Sequence, residues 1–101
     1  MAAIVTRNQL VRETKTAGGL RLTAPLRSHP LKSLAPAKEK SFDLDDLGAF
    51  VWHAIDNRRS VEDLIRHFAK QKTVNLREAE VAVTAFLSTL AKRNLIALAV
   101  P

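Results

Sequence analysis

Residues 42–68 read FDLDDLGAFVWHAIDNRRSVEDLIRHF, and the fold turns on how this stretch divides. Leu44, Leu47, Val51, Ala54 and Ile55 recur at steps of three and four, and Phe50 and Trp52 widen that stripe, so the first half is a helix with one face to bury. It starts near Asp45 or Asp46, where the positive end of a helix dipole favours carboxylates and Asp45 can accept a hydrogen bond from a first-turn amide. Asp56-Asn57-Arg58-Arg59 then interrupts the apolar pattern, and Asn57 tolerates the left-handed backbone that ends a helix. Ser60 opens a second helix, with Asp63 three positions on as a short-armed capping box and Val61, Leu64, Ile65, Phe68 and Ala69 on its apolar face. Two helices joined this closely form a helix-turn-helix pair.

Downstream, the polar run Lys70-Gln71-Lys72-Thr73 ends the second helix, and Asn75 with Glu78 caps a third that runs to about Arg93. Leu76, Ala79, Val83, Phe86, Leu87 and Leu90 line its buried face, and Lys92, Arg93 and Asn94 supply a basic last turn and a left-handed stop. Leu95 to Val100 is a final strand or a packed tail. Upstream, Lys40 to Leu44 alternates, with Phe42 and Leu44 inward, as a strand feeding the first helix. From Ile4 to Pro25 the pattern suits a hairpin, because Leu10-Val11 is followed by the turn-forming Ala17-Gly18-Gly19 and the alternating Leu20-Arg21-Leu22-Thr23. Pro25, Pro30 and Pro36 make Ala24 to Glu39 a long loop carrying Arg27, His29, Lys32 and Lys38. The expected core is Phe42, Leu47, Phe50, Val51, Leu64, Ile65, Phe68, Val83, Phe86, Leu87 and Leu90. The fold class expected is α+β and winged-helix-like: an N-terminal three-stranded antiparallel sheet followed by a three-helix bundle, in one domain over 1–101.

Composition narrows the function. The 101 residues hold no cysteine, which excludes disulfides and thiolate metal sites and is compatible with a reducing, cytoplasmic setting. The opening Met-Ala-Ala-Ile-Val is too short an apolar run for a signal peptide, and no segment has the length to cross a bilayer, so no membrane partner is expected. The net charge of +6 comes entirely from residues 1–41, with eight Lys or Arg against two Glu; residues 42–101 carry eight of each sign. His29, His53 and His67 lack any paired-ligand spacing, Asp45 and Asp46 point in different directions on a helix, and Gly18-Gly19 is no phosphate loop, so neither catalysis, metal nor cofactor is expected.

A basic winged helix raises DNA binding as the alternative function, that of a transcription regulator. A reading helix would present Arg, Lys, Asn or Gln to base edges. The third helix instead presents Glu78, Glu80, Thr84 and Ser88, with Arg77 and Lys92 only at its ends, so no nucleic acid partner is favoured.

The run LGAFVWHAIDNRRSVEDLI (47–65), followed by Ala79-Glu80-Val81 and by Phe86-Leu87-Ser88-Thr89-Leu90 ahead of Asn94-Leu95-Ile96, resembles the PqqD family over about residues 42–97. Members carry a tryptophan-bearing helix, an I-D-G-x-x-S/T-V turn and a last helix ending F-L-x-x-L before G-L-I; Asn57 and Asn94 stand here in place of glycine. The resemblance implies a non-catalytic recognition element that holds the leader of a precursor peptide and presents it to a modifying enzyme, typically a radical S-adenosylmethionine enzyme, in the synthesis of coenzyme PQQ or a related product. It also implies that the peptide adds a strand beside Lys40, Ser41, Phe42 and Asp43 and lies against the third helix. On that helix Val81, Thr84, Ala85 and Ser88 lie opposite the buried stripe and are small enough to let another backbone approach, although small residues are also ordinary filler on an exposed helix.

Overall fold

The structure, a computed structural model, describes residues 2–25 and 39–99. In chain order the elements are β1 (Ile4–Arg7), β2 (Arg12–Thr16), β3 (Gly19–Pro25), β4 (Glu39–Leu44), α1 (Asp46–Ala54), α2 (Val61–Lys72), α3 (Leu76–Lys92) and β5 (Ile96–Ala99). They fall into two units, one of Gln9–Ala49 and one of Met1–Asn8 with Phe50–Pro101.

The first of these is built on an antiparallel sheet of order β2-β3-β4. β2 and β3 are joined across Ala17-Gly18, with Thr16 paired to Gly19, so the turn chemistry read from the sequence forms the hairpin. The register sets Leu20 opposite Leu44 and Leu22 opposite Phe42, which puts these four on one face; Leu20, Leu22 and Leu44 are buried and Phe42 is half-buried. Gly19 is required here. Its φ is 154°, and a Cβ on it would run into the Leu44 carbonyl oxygen and stand 2.9 Å from the Asp45 carbonyl carbon. Asp45 Oδ1 accepts the Gly48 N–H at 2.8 Å, so Asp45 caps α1 and Asp46 is its first residue.

In the other unit each helix boundary has an identifiable cause. Ser60 Oγ accepts the Asp63 N–H at 3.1 Å while the Asp63 carboxylate accepts the Ser60 N–H at 3.0 Å, closing the capping box at the start of α2. Asn75 Oδ1 accepts the Glu78 N–H at 2.8 Å at the start of α3. Asn57, Thr73 and Asn94 hold a left-handed backbone, each within three residues past the end of a helix. Val5, Trp52, Ile55, Leu64, Val83 and Leu90 are almost wholly withdrawn from water, each contributing roughly 1.5–3 kcal/mol of transfer free energy. β1 pairs antiparallel with β5, from Ile4 opposite Ala99 to Arg7 opposite Ile96. The opposite edge of β1 is also occupied, since the Val5 N–H bonds to the Arg59 carbonyl and the Val61 N–H to the Ala3 carbonyl.

The α+β class and the three helices agree with the sequence reading, but the sheet arrangement does not. A three-stranded sheet exists, yet its hairpin uses the charged Arg12–Thr16, and Ile4–Arg7 leaves the N-terminal strands to join β5 in a second sheet. The apolar Ile4-Val5 can cover any core, and its pairing is decided by a strand at the far end of the chain. Leu47, expected in the core, is 51% exposed: helical side chains lean toward the N-terminus, so a leucine in the first turn overhangs the helix end. Phe42, Phe50 and Phe86 are half-buried, while Trp52, Ala54, Leu95 and Ile96 are buried. Of the expected loop 24–39, Ala24 and Pro25 are in β3 and Glu39 is in β4; residues 26–38 lie outside the described residues.

Candidate functional site

β4 is the terminal strand of its sheet, so Lys40, Ser41, Phe42 and Asp43 lie on an edge that no further described strand covers. Lys40, Ser41 and Asp43 are exposed and alternate with the half-buried Phe42. The polar face of the sheet is stitched across the strands. Arg21 donates to Asp43 through Nε at 2.7 Å and Nη2 at 3.2 Å, and the Thr23 and Ser41 hydroxyls meet at 3.4 Å. The Arg21 hydrogen bond holds the Asp43 carboxyl below its ordinary pKa. Both side chains are open to solvent, so the pair fixes register more than it adds stability. Asp43 is thus turned toward β3, while β4 itself remains the last described strand of its sheet.

The second group of predicted positions lies on α3. Val81, Ala85 and Ser88 are exposed on one side of the helix and Thr84 is half-buried beside them, its hydroxyl bonded back to the Glu80 carbonyl at 2.6 Å. Val81 is 63% exposed, a large apolar surface left without cover. An open concavity of about 490 Å³ lies along the first turns of α3, lined by Asn75, Arg77, Glu78, Val81 and Ala82. Val81 is the predicted residue that reaches it. Each unit therefore gathers its own four candidates, β4 in one and α3 in the other. The charges along exposed α3 are mixed, with Arg77 next to Glu78 and Glu80, a poor match to a phosphate backbone.

Sequence reasoning missed what holds the turn 56–59. Asp56 Oδ1 accepts the N–H groups of Arg59 at 2.9 Å and Arg58 at 3.0 Å, and these bonds lower its pKa. Asn57, whose left-handed φ was foreseen, also accepts the Arg7 N–H on Oδ1 at 2.8 Å, a contact that a glycine could not make. The Arg7 guanidinium lies 4.7 Å from the centre of the buried Trp52 ring and donates to the Trp52 carbonyl, while Arg59 Nη1 donates to the Ala54 carbonyl at 2.8 Å. Two arginines thus satisfy two carbonyls of the last turn of α1, those of Trp52 and Ala54, a role for which Arg7 gave no local signal. His67 stacks on Phe50 at 5.3 Å, with Lys72 over the same ring and Phe68 against its edge. Among the described residues no group of three or more His, Cys, Asp or Glu could hold a metal ion, and no helix is long and apolar enough to cross a membrane.

The model of the family described as Coenzyme PQQ synthesis protein D (PqqD) matches residues 33–96, a span that includes β4, all three helices and the first residue of β5. No curated protein and no solved structure matches the chain significantly.

Proposed function

Since the chain belongs to the PqqD family, we propose that it is a non-catalytic peptide-binding module that holds the leader of a precursor peptide and presents it to a modifying enzyme in the synthesis of coenzyme PQQ or a related peptide-derived product. The enzyme partner in this reading is a radical S-adenosylmethionine enzyme, and the setting is the reducing cytoplasm. The observation that carries the reading is the position of β4 at the end of its sheet, inside the matched span. An extended peptide added there gains main-chain hydrogen bonds, while side-chain contacts set which peptide is taken. The surfaces proposed for it are Lys40 to Asp43 on β4 and, on α3, the small outward residues Val81, Thr84, Ala85 and Ser88.

Calorimetric titration with the leader of a candidate precursor tests this. Ala85→Trp or Ser88→Trp places bulk on an exposed face, so binding falls at least about tenfold while the circular dichroism spectrum is unchanged. Full binding by both variants would remove α3 from the site. Lys92→Glu acts more weakly, through a term that salt screens.

A further inference from the structure

The turn 56–59 leaves one side chain without a structural task. Asp56 accepts the amides of Arg58 and Arg59, Asn57 accepts the Arg7 N–H, and Arg59 donates to the Ala54 carbonyl, so these three side chains hold the turn in place. The Arg58 side chain does none of this. It is exposed and meets no carboxylate among the described residues. Nor does it serve the negative end of the α1 dipole, where Arg7 and Arg59 already donate to the Trp52 and Ala54 carbonyls. A second cationic segment stands beside it. Arg7 pairs with Ile96, and Asn8 bonds to the Leu95 and Asn94 carbonyls, each at 2.9 Å, so the end of β1 lies between the turn and the end of α3. Two strand spacings, about 10 Å, separate them. Lys92 and Arg93 are exposed there. Opposing charge is scarce: Asp56 is the sole carboxylate in 56–59 and 92–95, its Oδ1 is engaged by two amides, and no Asp or Glu occurs after Glu80.

We propose that Arg58, Lys92 and Arg93 form a docking surface for an acidic protein surface, a second partner that uses none of the residues assigned to the leader peptide. The chemistry selects carboxylates. A guanidinium offers a planar fork of N–H donors that a carboxylate accepts in pairs, and Arg58, carried on a turn fixed by its neighbours, gives up little backbone freedom when it binds. Phosphate backbones fit less well, since binding them strongly takes roughly six to ten cationic contacts, and Arg58, Lys92 and Arg93 supply far fewer. A module that presents a bound peptide must also hold the enzyme that receives it, on a surface the peptide does not cover. On the peptide-delivery reading the acidic partner is therefore the modifying enzyme; that identification rests on the reading, whereas the surface does not.

NMR titration of the labelled full chain with hexaglutamate, a minimal acidic probe, tests the surface. Amide shifts concentrate at 57–59 and 92–94. Arg58→Glu weakens the binding about tenfold with an unchanged circular dichroism spectrum, and Arg58→Gln does so more mildly. Lys15→Glu, an identical change of charge on exposed β2, leaves the binding nearly as it was. Calorimetry with a candidate leader then shows equal affinity for wild type and Arg58→Glu. Shifts spread evenly over the basic segments, equal damage from Lys15→Glu, or tighter binding of a random DNA duplex at 57–59 and 92–94 overturns the proposal. So does a loss of leader binding in Arg58→Glu, which would make Arg58 a contact of the leader. A leader that fails to bind the wild type would sink the peptide-delivery reading and leave the hexaglutamate result to judge the surface alone.

Discussion

The three-stranded sheet and the β1–β5 ribbon are both antiparallel, but they are assembled by different kinds of information. The hairpin joins Thr16 to Gly19 through two residues, and its register follows from a local turn and an alternating pattern. The ribbon joins Arg7 to Ile96, residues separated along the chain by the whole three-stranded sheet and all three helices. The former depends on backbone geometry at a few positions, and the latter on burial of side chains supplied by the helices. Their edges differ too, charged on the sheet and bare on β5.

If the unit holding the ribbon rests on burial, its core positions give the largest effects. Leu87 is 4% exposed on the inner face of α3, and Leu87→Ala should cost about 2–5 kcal/mol in chemical denaturation. A loss below about 1 kcal/mol would mean that this face is not the packed one. If the sheet rests on backbone geometry, Gly19→Ala should be the next most damaging change. It puts a methyl group into the Leu44 carbonyl at a φ unsuited to alanine, and the loss should be about 2 kcal/mol or more. A neutral Gly19→Ala would erase the distinction between the two regions. Smaller again is Ser60→Ala, which opens the capping box of α2 and should lower stability by about 1 kcal/mol.

The smallest effect is one of pH. Hydrogen bonds from Arg21, from the Arg59 and Arg58 amides, and from Ser60 lower the pKa of Asp43, Asp56 and Asp63 respectively. A carboxyl with a lowered folded-state pKa stabilises the fold above its unfolded value, 3.8, and that contribution disappears as the pH falls through the lowered value. Thermal melts should therefore be flat near neutrality and decline below about pH 4, and Asp63→Asn should shallow the decline. All three groups are open to solvent, so the slope should be modest.

The same contrast separates what the sequence showed from what it did not. Asp45, Ser60 and Asn75 were identifiable as caps and Asn57 and Asn94 as left-handed stops, because each acts on backbone within a few residues of itself. The hairpin turn and β4 were legible for the same reason. The exchange of β1 from the sheet to the ribbon was not legible, nor was Arg7 on Trp52, because nothing near residue 7 marks a partner at 52 or 96. Leu47 was misplaced because helical periodicity does not say where the packed layer stops. For the site, the PqqD family was legible in 47–65 and 79–96, and the strand at 40–43 was singled out by that resemblance, whereas its place at the end of the sheet is a matter of strand order that the sequence does not carry. The turn of Asp43 toward Arg21 depended on the cross-strand register.

The central claim is that β4 and the small face of α3 receive a peptide. It is tested most directly by recording the amide NMR spectrum of the isotopically labelled protein during titration with a candidate leader peptide and, separately, with a random DNA duplex. The account predicts shifts with peptide concentrated at residues 40–44 and 81–88 and none with the duplex. Shifts of Arg77 and its neighbours with the duplex at micromolar concentration, without any response to peptide, would contradict it.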